Sequence, residues 1–123
     1  MASNVEITEF IRSAFRSVWS LELVLLMAEG GERGWSRNDL VTALRASELI
    51  VARATEELTA AGLIITDSEG KACFRPTSDQ HRRLVAEAGA LYARSPNKIR
   101  RIIVESGSGG LSAFADAFRI RKD

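Results

Sequence analysis

Histidine and cysteine each occur once in this 123-residue chain, at His81 and Cys73, and metal ligation or thiol chemistry would have to be built from them. His81 has no cysteine or carboxylate at a metal-ligand spacing and reads as a polar residue in the first turn of a helix. Cys73 lies between Ala72 and Phe74, where a small half-buried residue is the ordinary role and a reactive thiol needs an activating neighbour. The run Ser106-Gly107-Ser108-Gly109-Gly110 has the glycine content of a phosphate loop, yet no strand precedes it and no Gly-Lys-Ser/Thr follows, so it reads as a hinge. No base–nucleophile pair and no paired carboxylates stand in a recognisable setting; no enzymatic activity, cofactor or metal site is expected. What remains is the chemistry of arginine, a fork of N–H donors that fits a phosphate or the O6/N7 edge of guanine. Arg53 is placed for that chemistry by the elements around it.

Those elements announce themselves through caps and apolar spacing. Ile7, Phe10, Ile11, Ala14, Phe15 and Val18 share one side of a helix over about 5–18. Ser20 is then expected to cap a second helix running to about Glu29, with Trp19 and Val24 as a hydrophobic staple and Gly30-Gly31 as the stop. In Trp35-Ser36-Arg37-Asn38-Asp39-Leu40, Ser36 caps a third helix, Asp39 stands at the reciprocal capping-box position, and Trp35 and Leu40 are spaced as a staple. After Arg45 and Ala46, Ser47 caps a fourth helix that turns Val51, Ala54 and Leu58 inward and ends at Gly62. Two helices joined by so short a turn form a helix-turn-helix. Leu63 to Thr66 and Lys71 to Arg75, separated by Asp67-Ser68-Glu69-Gly70, predict a β-hairpin. Thr77 or Ser78 caps a further helix that stops before Ser95-Pro96, and Pro96 opens another carrying Ile99, Ile102 and Ile103 on one side. Leu111, Phe114, Ala115 and Phe118 are spaced for a last short amphipathic helix. The fold class is therefore mainly α with a small β-hairpin.

With 46% hydrophobic and 27% charged residues and a net charge of +1, the chain has the composition of one ordinary compact domain and not of a strongly basic nucleic-acid coat. A lone cysteine excludes an internal disulfide framework, and the opening MASNVEITEF carries Glu6 and Glu9 where a secretory leader has basic and then apolar residues. The longest apolar stretch, Leu21 to Ala28, is interrupted by Glu22 and is far shorter than the roughly 20 residues of a bilayer span. A cytoplasmic protein without membrane contact is expected.

The order helix, capped helix, tight turn, capped helix, Gly-Leu, hairpin, helix resembles the winged helix-turn-helix of MarR-type transcription regulators. The resemblance rests on Trp35 to Leu40, on Ser47 with Val51-Ala52-Arg53, and on Leu58 followed by Ala61-Gly62-Leu63. It implies a winged-helix core over 20–77 between an N-terminal helix (1–19) and C-terminal helices (78–123), which in that family flank the core and pair in a homodimer. It also implies a double-stranded DNA partner. The second helix of such a motif can enter the major groove with its first half facing base edges. With Val51, Ala54 and Leu58 inward, Leu49, Arg53 and Glu56 turn outward with Ala52 beside them. Arg53 matches an arginine often found on the family's reading helix and is the candidate for guanine. Ser36, Arg37, Arg45 and Ser47 are candidates for phosphate, and Lys71 for the wing.

Charge qualifies this reading. Between Ser36 and Thr77 five basic residues (Arg37, Arg45, Arg53, Lys71, Arg75) face six acidic ones (Asp39, Glu48, Glu56, Glu57, Asp67, Glu69), so the reading head is about neutral. Glu56 and Glu57 stand where either can pair with Arg53 along the helix, and Glu48 and Glu56 repel phosphate. Positive charge gathers in Arg82, Arg83, Arg94, Lys98, Arg100 and Arg101, either as a solvated helix surface or as a flank for DNA or an acidic protein. Leu49, Ile50 and Ala52 give the outward face an apolar character, so a protein-binding adaptor without useful DNA affinity is the alternative function. A third is a sensor whose effector enters between the reading head and the terminal helices.

Overall fold

The computed structural model describes residues 3–107; the expected helix over 111–118 lies outside them. The chain is mainly helical with a small antiparallel sheet, in the order α1 (Asn4–Ala14), α2 (Val18–Glu29), β1 (Gly34–Trp35), α3 (Arg37–Leu44), α4 (Glu48–Ala60), β2 (Ile64–Thr66), β3 (Ala72–Phe74), α5 (Asp79–Arg94) and α6 (Pro96–Gly107).

The first junction differs from the sequence expectation. The chain leaves the helix at Phe15, which is extended and fully buried, and the cap of α2 is Ser17, not Ser20. Ser17 Oγ accepts from the Ser20 N–H at 3.2 Å, while Ser20 Oγ accepts from the Ser17 N–H at 3.4 Å and donates to the Ser17 carbonyl at 2.7 Å. Ser20 is thus the inner partner of a capping box, fully buried. Trp19, 36% exposed, belongs to the first turn of α2 and not to a residue preceding its cap. Apolar spacing hid the break because Phe15 remains in the core from an extended backbone, and Val18 packs against that core from the next helix.

Ser36, Ser47 and Ser78 cap α3, α4 and α5, each hydroxyl accepting from the backbone N–H three residues on. Ser78 takes the last role, while Thr77 meets the end of α4, its N–H donating to the Gly62 carbonyl at 2.9 Å. Gly62 (φ +77°) occupies the left-handed region that a helix exit of this kind requires. α6 starts at Pro96 and continues to Gly107, taking in two residues of the expected hinge, since glycine is tolerated at a helix end.

A third strand was not legible in advance. β1 pairs antiparallel with β3 (Gly34↔Cys73, Trp35↔Ala72), and β2 with the other edge of β3 (Ile64↔Phe74, Ile65↔Cys73, Thr66↔Ala72), giving the order β1-β3-β2. Ile64, Ala72 and Phe74 face the core. At the hairpin tip Asp67 Oδ1 accepts from the N–H groups of Glu69 and Lys71 at 2.8 and 2.9 Å, so one acidic tip residue serves the turn itself.

One hydrophobic cluster joins these elements. α2 lies at its centre, packed on α4 and α3 as well as on α5, α6 and β3, which is why it is apolar nearly all round. α1 packs on α5 and α6 within the same chain, and Ile7, Phe10, Ile11, Leu84, Val85, Ala88, Ile99 and Ile103 are buried there.

Candidate nucleic-acid interface

The candidate residues lie on α3 and its cap, the α3–α4 turn, α4 and the hairpin. At the start of α3, the Asp39 N–H donates to Ser36 Oγ at 3.0 Å and the Ser36 N–H donates to Asp39 Oδ2 at 3.2 Å. These bonds from Ser36, backbone first and side chain second, hold the Asp39 carboxyl below its ordinary pKa, and the nearby charges of Arg33 and Lys71 add to the effect. Ser36 is therefore engaged with Asp39 from both its N–H and its hydroxyl.

Residues 45–47 join α3 to α4. Arg45 ends α3 in the left-handed region (φ 55°, ψ 41°) and is exposed. Ser47 is exposed, and its Oγ accepts from the Ile50 N–H at 3.2 Å. Along α4, Val51, Ala54 and Leu58 are buried, Ile50 and Ala52 are half-buried, and Leu49, Arg53 and Glu56 are exposed. The outward stripe read from helical periodicity is the one the fold leaves free, with Leu49 60% exposed. Thr55 and Thr59 turn their hydroxyls back to the carbonyls of Ala52 and Thr55 at 2.8 and 2.7 Å.

The four cationic candidates do not form one cluster. Arg53 lines a groove of about 470 Å³ between α4 and the end of α1, together with Arg16, Glu56 and Glu57. Glu57 Oε1 is shielded from solvent there and accepts no hydrogen bond among the described residues. Arg37 lines a separate groove of about 400 Å³ with Thr55, Glu56, Thr59 and Thr66, on the opposite flank of α4. Lys71 packs its stem over Gly34, beside the Asp39 capping box. Arg45 caps the end of α3 in the turn that leads to the Ser47 cap of α4. Glu56 borders both grooves, so the acidic neighbour expected to offset Arg53 also faces Arg37.

Two cations beside the candidate residues escaped the sequence reading. Arg16 reaches the Arg53 groove from the α1–α2 break, which was hidden by the misplaced cap. Arg33 lays its guanidinium 3.8 Å over the Trp35 ring and pairs with Asp39 at 3.9 Å, a position created by β1. A further groove of about 390 Å³ runs between α2 and α5, floored by Leu25, Phe74 and Val85.

Among the described residues no helix is long and apolar enough to cross a membrane. Comparison of the chain with protein-family models, characterised proteins and solved structures returns no match.

Proposed function

We propose that the chain is a winged helix-turn-helix DNA-binding protein, a transcription regulator of MarR-like type, in which α4 reads the major groove. The observation that carries this reading is the α3–α4 corner. A three-residue turn leads into α4, and Leu49, Arg53 and Glu56 are left exposed with Ala52 half-buried beside them, while a hairpin packs behind the helix. That order of elements is how such motifs present a helix to duplex DNA. Arg53 reads a base edge, the Ser47 hydroxyl and the Arg45 and Arg37 guanidiniums meet phosphates, and Lys71 supports the hairpin side. Two copies related by a two-fold axis would set their α4 helices about 34 Å apart, one turn of the duplex.

Selection of duplexes from a randomised pool, followed by titration against salt, tests the reading. A duplex should be enriched, its affinity should fall steeply with salt, and Arg53→Ala should weaken it by about 1–3 kcal/mol while relaxing preference at one base pair. Absence of enrichment would remove the DNA reading.

A protein-binding adaptor is the second reading, and it has its own observation: Leu49 and Ile65 are large apolar side chains 60% and 39% exposed. Such an interface would respond little to salt, and Leu49→Ala should weaken it while Arg53→Ala leaves it unchanged.

A further inference from the structure

The groove between α4 and the end of α1 gathers charge of both signs that the fold leaves unmatched. Arg16 and Arg53 line it together with Glu56 and Glu57, around a volume of about 470 Å³, within the range of roughly 300–1,000 Å³ usual for small-molecule sites. Glu56 and Glu57 follow Arg53 at the spacings that allow an ion pair along a helix, yet neither pair forms. The ion pairs among the described residues are Arg12–Glu9 and Arg33–Asp39, and the stacked guanidiniums there belong to Arg33, Arg82 and Arg100.

Two observations narrow what would complete the groove. Glu57 Oε1 is shielded from solvent and accepts no hydrogen bond among the described residues; a shielded acceptor of this kind calls for a donor. Arg16 and Arg53 are both exposed and come from different parts of the chain, the α1–α2 break and α4. Each therefore offers a fork of N–H donors that no carboxylate of the groove occupies. A simple anion would be drawn to the guanidiniums and repelled by the two glutamates, and a simple cation would meet the reverse. A ligand that carries both charges satisfies both sets at once. Ala14 and Ala61 add small apolar walls, which leave room for a side chain.

We propose that this groove binds a free α-amino acid, its carboxylate held by Arg16 and Arg53 and its ammonium group by Glu57, with Glu56 at the rim. Because Arg53 is shared, an occupied groove withdraws it from the base edge, and the amino acid antagonises duplex binding. That consequence rests on the DNA-binding reading; the site itself does not.

The experiment titrates the full chain, without DNA, with the common amino acids one at a time, by thermal shift and calorimetry, with acetate and methylammonium as the two half-ligands. At least one amino acid should bind and raise Tm, and neither half-ligand should do so at the same concentration. Arg16→Gln and Glu57→Gln should each weaken that binding about tenfold or more, the loss of one charge-assisted contact. Thermal unfolding of the ligand-free variants shows that they are folded, and Arg16→Gln, at an exposed position, carries the test if Glu57→Gln does not fold. Binding by no amino acid overturns the site, as does equal binding of a half-ligand or undiminished affinity in the variants. A duplex enriched by selection should bind more weakly in saturating amino acid, and unchanged duplex affinity overturns the antagonism. A chain that binds the amino acid through Arg16 and Glu57 but binds no duplex supports the site and removes the DNA reading.

Discussion

At the scale of single residues, the capping serines and the outward stripe of α4 were legible because each depends on a few neighbours in sequence. The Ser36–Asp39 box was readable from two residue types three apart, and it carries a pH signature. Asp39 is held below its ordinary value of 3.8, chiefly by the Ser36 N–H. Because its folded pKa is depressed, the stabilisation from its charged form is complete above the unfolded value and is lost as pH falls through the lower folded one. Asp39→Ala should therefore lower Tm by a few degrees at neutral pH, and the gap to the unsubstituted chain should narrow in acid as the carboxylate is protonated. A gap that persists unchanged into acid would show that the carboxylate charge has no part in the cap. Arg16 and Arg33 were not legible at this scale, since neither lies in a motif and both matter only through what the fold sets beside them.

At the scale of elements, two features separate sequence pattern from structure. The α1–α2 break falls where apolar residues continue without a gap, and two serines three apart both have the chemistry of a cap; only the extended, buried Phe15 decides between them. β1 is two residues long, too short for any alternation to reveal it, and exists because β3 offers it a free edge. The exit from α4 shows the opposite case, in which one residue determines the geometry. Gly62 has φ +77°, and a Cβ added to it would lie 3.0 Å from Thr77 Cγ2. Gly62→Ala should destabilise the protein by about 1–2 kcal/mol from the backbone alone, with a further loss as Thr77 is displaced. Denaturant unfolding measures this, and an unchanged midpoint would mean that the junction between α4 and the hairpin relaxes freely.

At the scale of the whole molecule, the terminal helices and the α3–α4 corner share one core. The flanking helices were expected to bury their apolar faces against a second copy; in the structure α1, α5 and α6 cover much of those faces for one another, and α2 links them to α4. Ile103 and Ile99 are fully buried in that flanking layer. Ile103→Ala should cost about 2–5 kcal/mol. The loss should appear as the same shift in tryptophan fluorescence, reported by Trp19 on α2 and Trp35 on β1, as in far-UV circular dichroism. Two separate transitions would show instead that the corner unfolds independently of the flanking layer. Charge is also a whole-molecule property: the near-neutral balance around α4 was countable in the sequence, but its division into an Arg53 groove and an Arg37 groove, both bordered by Glu56, was not.

The sequence alone determined the identity and order of most helices, the hairpin and the face of α4 that points away from the core, because caps, turns and a repeat of about 3.6 residues are interactions between near neighbours. Tertiary structure decided where the first helix breaks, that a third strand exists and that Glu56 borders both basic grooves. Each of those follows from residues far apart in the chain competing for the same edge, groove or corner, and no local pattern records how that competition ends.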